Sequence, residues 1–224
     1  MSDSLNDLYC LYRNTDKWLK APNGQPSILS EMQWLTVRTV AFKKWFGDWE
    51  NHPKTSSQIL DTNGEPLVVY HGTPPKYNDF SEFRVYDEGV FFSESESIAR
   101  RYAYNYTGNE FGSLKAVFLN LRNPKFIKSV KYSFNGFKGA DASLKKRSAK
   151  LKSLHPELSN VPYRYKEMIR ENFIKQNFDG LILDDHSWEN IIENSKQFVA
   201  FKSNQIKSAT DNIGTFSHSL DIYN

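Results

Sequence analysis

After Asn63-Gly64 the chain breaks into short apolar runs: Pro66 to Tyr70, Val90 to Ser93, Leu114 to Leu121, Leu181 to Leu183 and Phe198 to Phe201. Runs of this length, rich in β-branched and aromatic residues, read as strands. Amphipathic stretches surround and interrupt them. Residues 3 to 20 and 27 to 50 carry apolar side chains at helix-like intervals, with the Pro22-Asn23-Gly24 turn between them. Helical patterns return at Ser95 to Tyr106, Ser143 to His155 and Tyr163 to Gln176. The order predicts an α+β fold, with helices in front of and inserted into a mainly antiparallel sheet.

The chain has 224 residues, about one and a half typical domains. The division expected is an N-terminal helical extension at 1–40 and a main domain at 41–224, with a basic helical insert at about 138–176. Aromatic residues supply 15% of the chain, enough apolar surface for a core and against disorder. No apolar stretch reaches the length that spans a bilayer, and residues 1 to 20 lack the signature of a cleaved signal. A cytoplasmic protein without membrane contact is expected. Cys10 is the single cysteine, so neither an internal disulfide nor a cysteine-based zinc cage is available.

The net charge of +3 hides an uneven distribution. Between Lys138 and Lys152 six basic residues (Lys138, Lys145, Lys146, Arg147, Lys150, Lys152) face Asp141 alone, a local excess of +5. Leu144, Leu151, Leu154 and Leu158 recur near helical spacing and suit a helix with a solvated basic face. The same charge suits a surface that attracts phosphates, with Lys145, Lys146, Arg147 and Lys150 as the nucleic-acid contacts.

The common nucleotide-binding, metalloprotease and hydrolase motifs are missing. The histidines at 52, 71, 155, 186 and 218 show no pair at metal-ligand spacing, so no metal is expected. What remains is Val68-Val69-Tyr70-His71-Gly72-Thr73, a histidine at the end of an apolar strand followed by glycine, where backbone can approach a ligand closely. Downstream lies Gly89-Val90-Phe91-Phe92-Ser93, and eleven residues after Phe91 comes Tyr102.

Together these segments resemble the ADP-ribosyltransferases of the diphtheria-toxin and poly(ADP-ribose) polymerase branch, whose signature is a His-Tyr-Glu triad. The resemblance is closest to the ADP-ribosyltransferase domains of bacterial and phage polyvalent proteins and toxins. It also rests on Phe42 to Glu50, Asn63 to Thr73, Val117 to Pro124, Phe178 to Ile182 and Phe198 to Thr210, and runs from about residue 40 to residue 216, leaving the first 40 residues and the basic insert unaccounted for. It implies an ADP-ribosyltransferase-like fold with a split sheet. It also implies an enzyme that moves ADP-ribose from NAD, its co-substrate, to a macromolecule and releases nicotinamide.

The resemblance assigns roles residue by residue. His71 binds a ribose hydroxyl, the Gly72 backbone holds the carboxamide, Phe91 and Tyr102 sandwich the nicotinamide ring, and Thr73 is a further contact. Phe91 replaces the triad tyrosine and keeps the stacking face. Gln197 stands where the triad glutamate is expected, able to hydrogen-bond but without charge. The nearest acids placed to compensate are Glu193, Asp184 and Asp185, which equally suit solvated loop carboxylates. A catalytically silent NAD- or partner-binding relative and an NAD glycohydrolase are the alternatives. The resemblance further implies a toxin or effector with an antitoxin or other neutralising partner. The basic insert, flanked by Phe134, Phe137, Tyr163 and Tyr165, favours RNA, then DNA, over protein as acceptor.

Overall fold

A computed structural model of the protein describes residues 4–75, 80–86, 88–105, 110–129, 170–185, 195–212 and 214–224. Its helices are α1 (Leu5–Tyr12), α2 (Glu31–Thr36), α3 (Val40–Phe46) and α4 (Glu96–Ala103), and residues 170–175 are also helical. Its strands are β1 (Val69–Thr73), β2 (Val90–Ser93), β3 (Tyr104–Asn105), β4 (Glu110–Phe111), β5 (Ser113–Leu119), β6 (Pro124–Ser129), β7 (Gly180–Asp185), β8 (Gln197–Ala200) and β9 (Ile206–Ser208). The α+β class with mostly antiparallel strands agrees with the sequence. The helical stretch expected over 27–50 is two short helices. The first ends at Thr36 with Val37 as its C-cap, and Thr39 caps the second, its hydroxyl accepting from the Phe42 N–H. The basic insert from Lys138 to Lys152 lies outside the described residues.

The chain forms two compact units. One comprises the residues up to Val68, Ala116–Arg122 and Asn204–Asn224. Its core gathers Trp34, Phe42, Trp45, Phe46, Trp49, Phe118 and Phe216. Phe42 touches Trp45, Phe46, Phe118 and Phe216 at centroid distances of 4.9 to 5.8 Å, stacked on Phe46 and edge-on to the others. β5 and β9 pair antiparallel here, with Phe118 opposite Lys207. Lys207 is wholly buried, and burial lowers its pKa; its ammonium donates to the carbonyls of Ser219 and Asp221 and so ties down the C-terminal segment.

A buried ion pair fastens the front of this unit. The Arg38 guanidinium lies 2.9 Å from the Glu65 carboxylate, which is fully buried and also accepts from the Ser27 hydroxyl. The guanidinium stands 3.7 Å over the Trp34 ring and donates to the carbonyls of Trp34 and Lys20. Glu65 lies four residues before β1.

The second unit comprises Val69–Lys115 and Asn123–Ser203. Its strands lie in the order β6-β7-β8-β2-β1. β6 and β7 are parallel, and the other pairs are antiparallel. Ile127, Phe173, Leu181, Leu183, Val199 and Phe201 form its core, with Phe91 packed against them. Helix α4 lies on β1. Its N-cap is Ser95, which accepts from the Ile98 N–H, and its apolar face is Ile98, Ala99 and Ala103.

Removing Arg38 strands the Glu65 charge in the core. Arg38→Ala is therefore expected to lower the unfolding free energy by about 3 to 5 kcal/mol in urea denaturation. Lys44→Ala, at an exposed side chain, is expected to change it by less than about 0.5 kcal/mol.

Candidate functional site

Strand register decides which expected site residues share a face. Tyr70 lies opposite Ser93, Ser93 opposite Gln197, and Gln197 opposite Leu183. Phe91 lies opposite Val199 and Val199 opposite Leu181. Directly opposed residues project from the same face and neighbours along a strand from opposite faces. Tyr70, Phe91, Ser93 and Gln197 thus occupy one face, and Phe92 and Phe198 the other. His71, next to Tyr70, belongs with Phe92: its ring centroid is 5.5 Å from that of Phe92 and 5.0 Å, edge-on, from that of Phe83.

His71 lies within β1 rather than at its end, because the strand runs on to Thr73. β1 meets β2 in one register pair, Tyr70 with Ser93. Beyond it the imidazole takes the place of the ladder, with Nδ1 2.7 Å from the Phe91 carbonyl oxygen. A carbonyl only accepts, so Nδ1 carries the proton. Burial lowers the pKa of His71, partly offset by the bond to Phe91. The ring is therefore neutral near pH 7, and its Nε2 is an acceptor with no partner among the described residues.

The glycine after it is required by packing. A Cβ at Gly72 would stand 1.8 Å from the Ala99 carbonyl oxygen and 2.7 Å from the Ala103 nitrogen, so α4 could not lie where it does. Gly89, at φ +127°, opens β2, and a Cβ there would meet the Ala200 carbonyl oxygen at 2.6 Å. Thr73 is buried, and its hydroxyl has no hydrogen-bond partner among the described residues. Buried polar groups are normally paired, so this hydroxyl has capacity for a further partner. Tyr102 is half-exposed on α4, the turn after Ala99. Phe91 is half-buried against the core of its unit.

Gln197 is half-buried, and its amide makes no hydrogen bond among the described residues. Two residues before it, the Ser195 hydroxyl is buried and equally unpaired. Tyr70 stands at the other end of the row, and its pKa is raised, first by burial and then by the charge of Glu96. The sequence reading passed over Glu94, whose carboxylate accepts from the Lys196 N–H at 3.1 Å. No local sequence signal marks it, since the bond is to a residue about a hundred positions on. Of the acids nominated to compensate for Gln197, Asp184 lies on β7, while Glu193 and the Asp185 side chain are outside the described residues. Lys145, Lys146, Arg147 and Lys150 are outside them as well. Among the described residues no three His, Cys, Asp or Glu side chains gather to hold a metal ion, and no helix is long and apolar enough to cross a membrane.

The state of His71 has a measurable consequence. As pH falls, the unfolded chain takes up a proton near pH 6.5 while the folded imidazole resists, so the stability that goes with the neutral ring is present above that pH and lost below it. The His71 resonances are expected to titrate below pH 6.5. His71→Gln is expected to remove the corresponding loss of stability in denaturation series between pH 7.5 and 5.

No curated protein and no solved structure matches the chain. The family model described as ADP-ribosyltransferase in polyvalent proteins matches residues 61–216, and this span takes in β1, β2, α4 and β8 with His71, Gly72, Thr73, Phe91, Tyr102 and Gln197. The chain therefore belongs to the ADP-ribosyltransferases of polyvalent proteins, enzymes that use NAD as co-substrate.

Proposed function

We propose that the protein transfers single ADP-ribose units from NAD to a macromolecular acceptor at the ends of β1, β2 and β8, with release of nicotinamide. The observation that carries this reading is the neutral His71, anchored through Nδ1 and left with a free acceptor at Nε2. A ribose hydroxyl is a donor of the right kind. The unpaired Thr73 hydroxyl and Gln197 amide suit the same polyhydroxylated substrate. We assign His71 to the ribose, the Gly72 backbone to the carboxamide, Phe91 and Tyr102 to the nicotinamide ring and Gln197 to the nicotinamide ribose. His71 and the Phe91–Gln197 row leave the sheet on opposite faces, so one substrate meets both only where the β1–β2 ladder stops after the Tyr70–Ser93 pair. A carboxamide in place of a carboxylate bonds those hydroxyls but contributes no charge to the cationic transition state. Such a contact is typically worth about 3 to 4 kcal/mol.

The acceptor we favour is nucleic acid, RNA before DNA, and the support is the local +5 between Lys138 and Lys152. The biological role we favour is that of a toxin or effector held in check by a neutralising partner, on the usual setting of the family. Gln197 also motivates a second reading, a catalytically silent relative that binds NAD without turning it over.

Labelled NAD incubated with the protein and cell lysate, then digested separately by protease and nuclease, separates these readings. Label lost to nuclease is expected; intact NAD with no labelled polymer supports the silent relative. His71→Ala is expected to weaken NAD binding and transfer together, whereas Gln197→Ala is expected to abolish transfer with NAD still bound at reduced affinity. Replacing Lys145, Lys146, Arg147 and Lys150 by Ser is expected to reduce transfer to RNA and flatten its salt dependence, with NAD hydrolysis unchanged. Equal losses in both reactions would contradict the assignment of the insert.

A further inference from the structure

We infer that Glu94 supplies the carboxylate that this transferase lacks at Gln197, and this rests on the Gln197 site proposed above. Ser93 is the cross-strand partner of Gln197, so Glu94 lies beside Lys196 where β2 and β8 end. The two residues are tied twice: the Glu94 N–H donates to the Lys196 carbonyl at 3.0 Å, and the Lys196 N–H donates to the Glu94 carboxylate at 3.1 Å. The side chain thus stands in for the next rung of the ladder. It holds a negative charge against the backbone nitrogen of the residue immediately before Gln197. That anchorage uses one carboxylate oxygen and leaves the other to a substrate. Glu94 is exposed and forms no ion pair among the described residues.

Its rivals are worse placed. Glu96 is matched by Arg100, whose guanidinium lies 2.5 Å from it. Asp184 is on β7, with β8 and β2 between it and the strand that carries His71. Glu94 follows β2, between the strands of His71 and Gln197.

In the reaction the bond between C1′ of the ribose and the nicotinamide nitrogen breaks, and its electron pair leaves with neutral nicotinamide. Positive charge grows on C1′. A lone pair of the acceptor then forms the new bond, and the acceptor proton passes to water. The Glu94 carboxylate opposes the positive charge while Gln197 holds the hydroxyls.

Glu94→Gln isolates the charge, because the amide oxygen can still accept from the Lys196 N–H. Nicotinamide release is measured for the wild type, Glu94→Gln, Gln197→Glu and the double variant. Glu94→Gln is expected to lower kcat by about tenfold to a hundredfold, with KM for NAD changed less than about twofold. Adding Gln197→Glu is expected to restore most of the rate. Wild-type kcat in Glu94→Gln would overturn the inference. So would a loss that Gln197→Glu does not repair and that comes with a lowered melting temperature, since that marks a purely structural contact. A wild type that releases no nicotinamide would instead overturn the reading of the Gln197 site itself.

Discussion

The arrangement around His71 depends on how closely α4 lies on β1. With the Ala99 carbonyl oxygen only 1.8 Å from where a Cβ of residue 72 would be, only glycine permits this contact. The contact sets the helix along the strand, so Glu96, a turn before Ala99, acts electrostatically on Tyr70, and Tyr102 follows a turn later. It also fixes how the chain leaves β2. The Ser93 hydroxyl accepts from the Ser95 N–H, Ser95 caps α4, and Glu94 between them is turned toward Lys196. One missing side chain thus coordinates a helix, a strand end and a carboxylate. Any residue larger than glycine at 72 would move all three.

The chemistry assigned to this place asks for charge, and the residues there are largely neutral. Burial keeps His71 unprotonated, Gln197 is an amide, and the raised pKa of Tyr70 keeps its phenol protonated at neutral pH. Neutral groups hold a polyhydroxylated substrate well, because each hydroxyl is matched by an acceptor or donor without the cost of desolvating an ion. They do little for a developing cation. On the roles proposed above, binding and rate enhancement separate, binding resting on His71, Thr73 and Gln197 and the rate on the Glu94 carboxylate.

Much of this was legible in the sequence where local pattern and tertiary structure agree. The runs at Val90 to Ser93 and Phe198 to Phe201 became β2 and most of β8, and the ordered blocks around His71, Phe91 and Gln197 identified the family. Boundaries were less legible. His71 and Gly72 read as the end of a strand, yet β1 continues to Thr73 because the demand for glycine comes from α4, which lies some thirty residues away in sequence. β6 has Pro124, Lys125 and Lys128 among its six residues, and β9 has only three, so neither offers an apolar run to recognise. Glu94 was invisible for a related reason. Its importance comes from a cross-strand bond to Lys196, about a hundred residues on, which no local spacing encodes.

The most direct test of the account is the nitrogen resonance pattern of the His71 imidazole with and without NAD. In the free protein at pH 7 a neutral ring protonated at Nδ1 is expected. Saturating NAD should leave that proton in place and shift Nε2 as it accepts a hydrogen bond from a ribose hydroxyl. A charged ring, a proton on Nε2, or a resonance unmoved by saturating NAD would contradict the account.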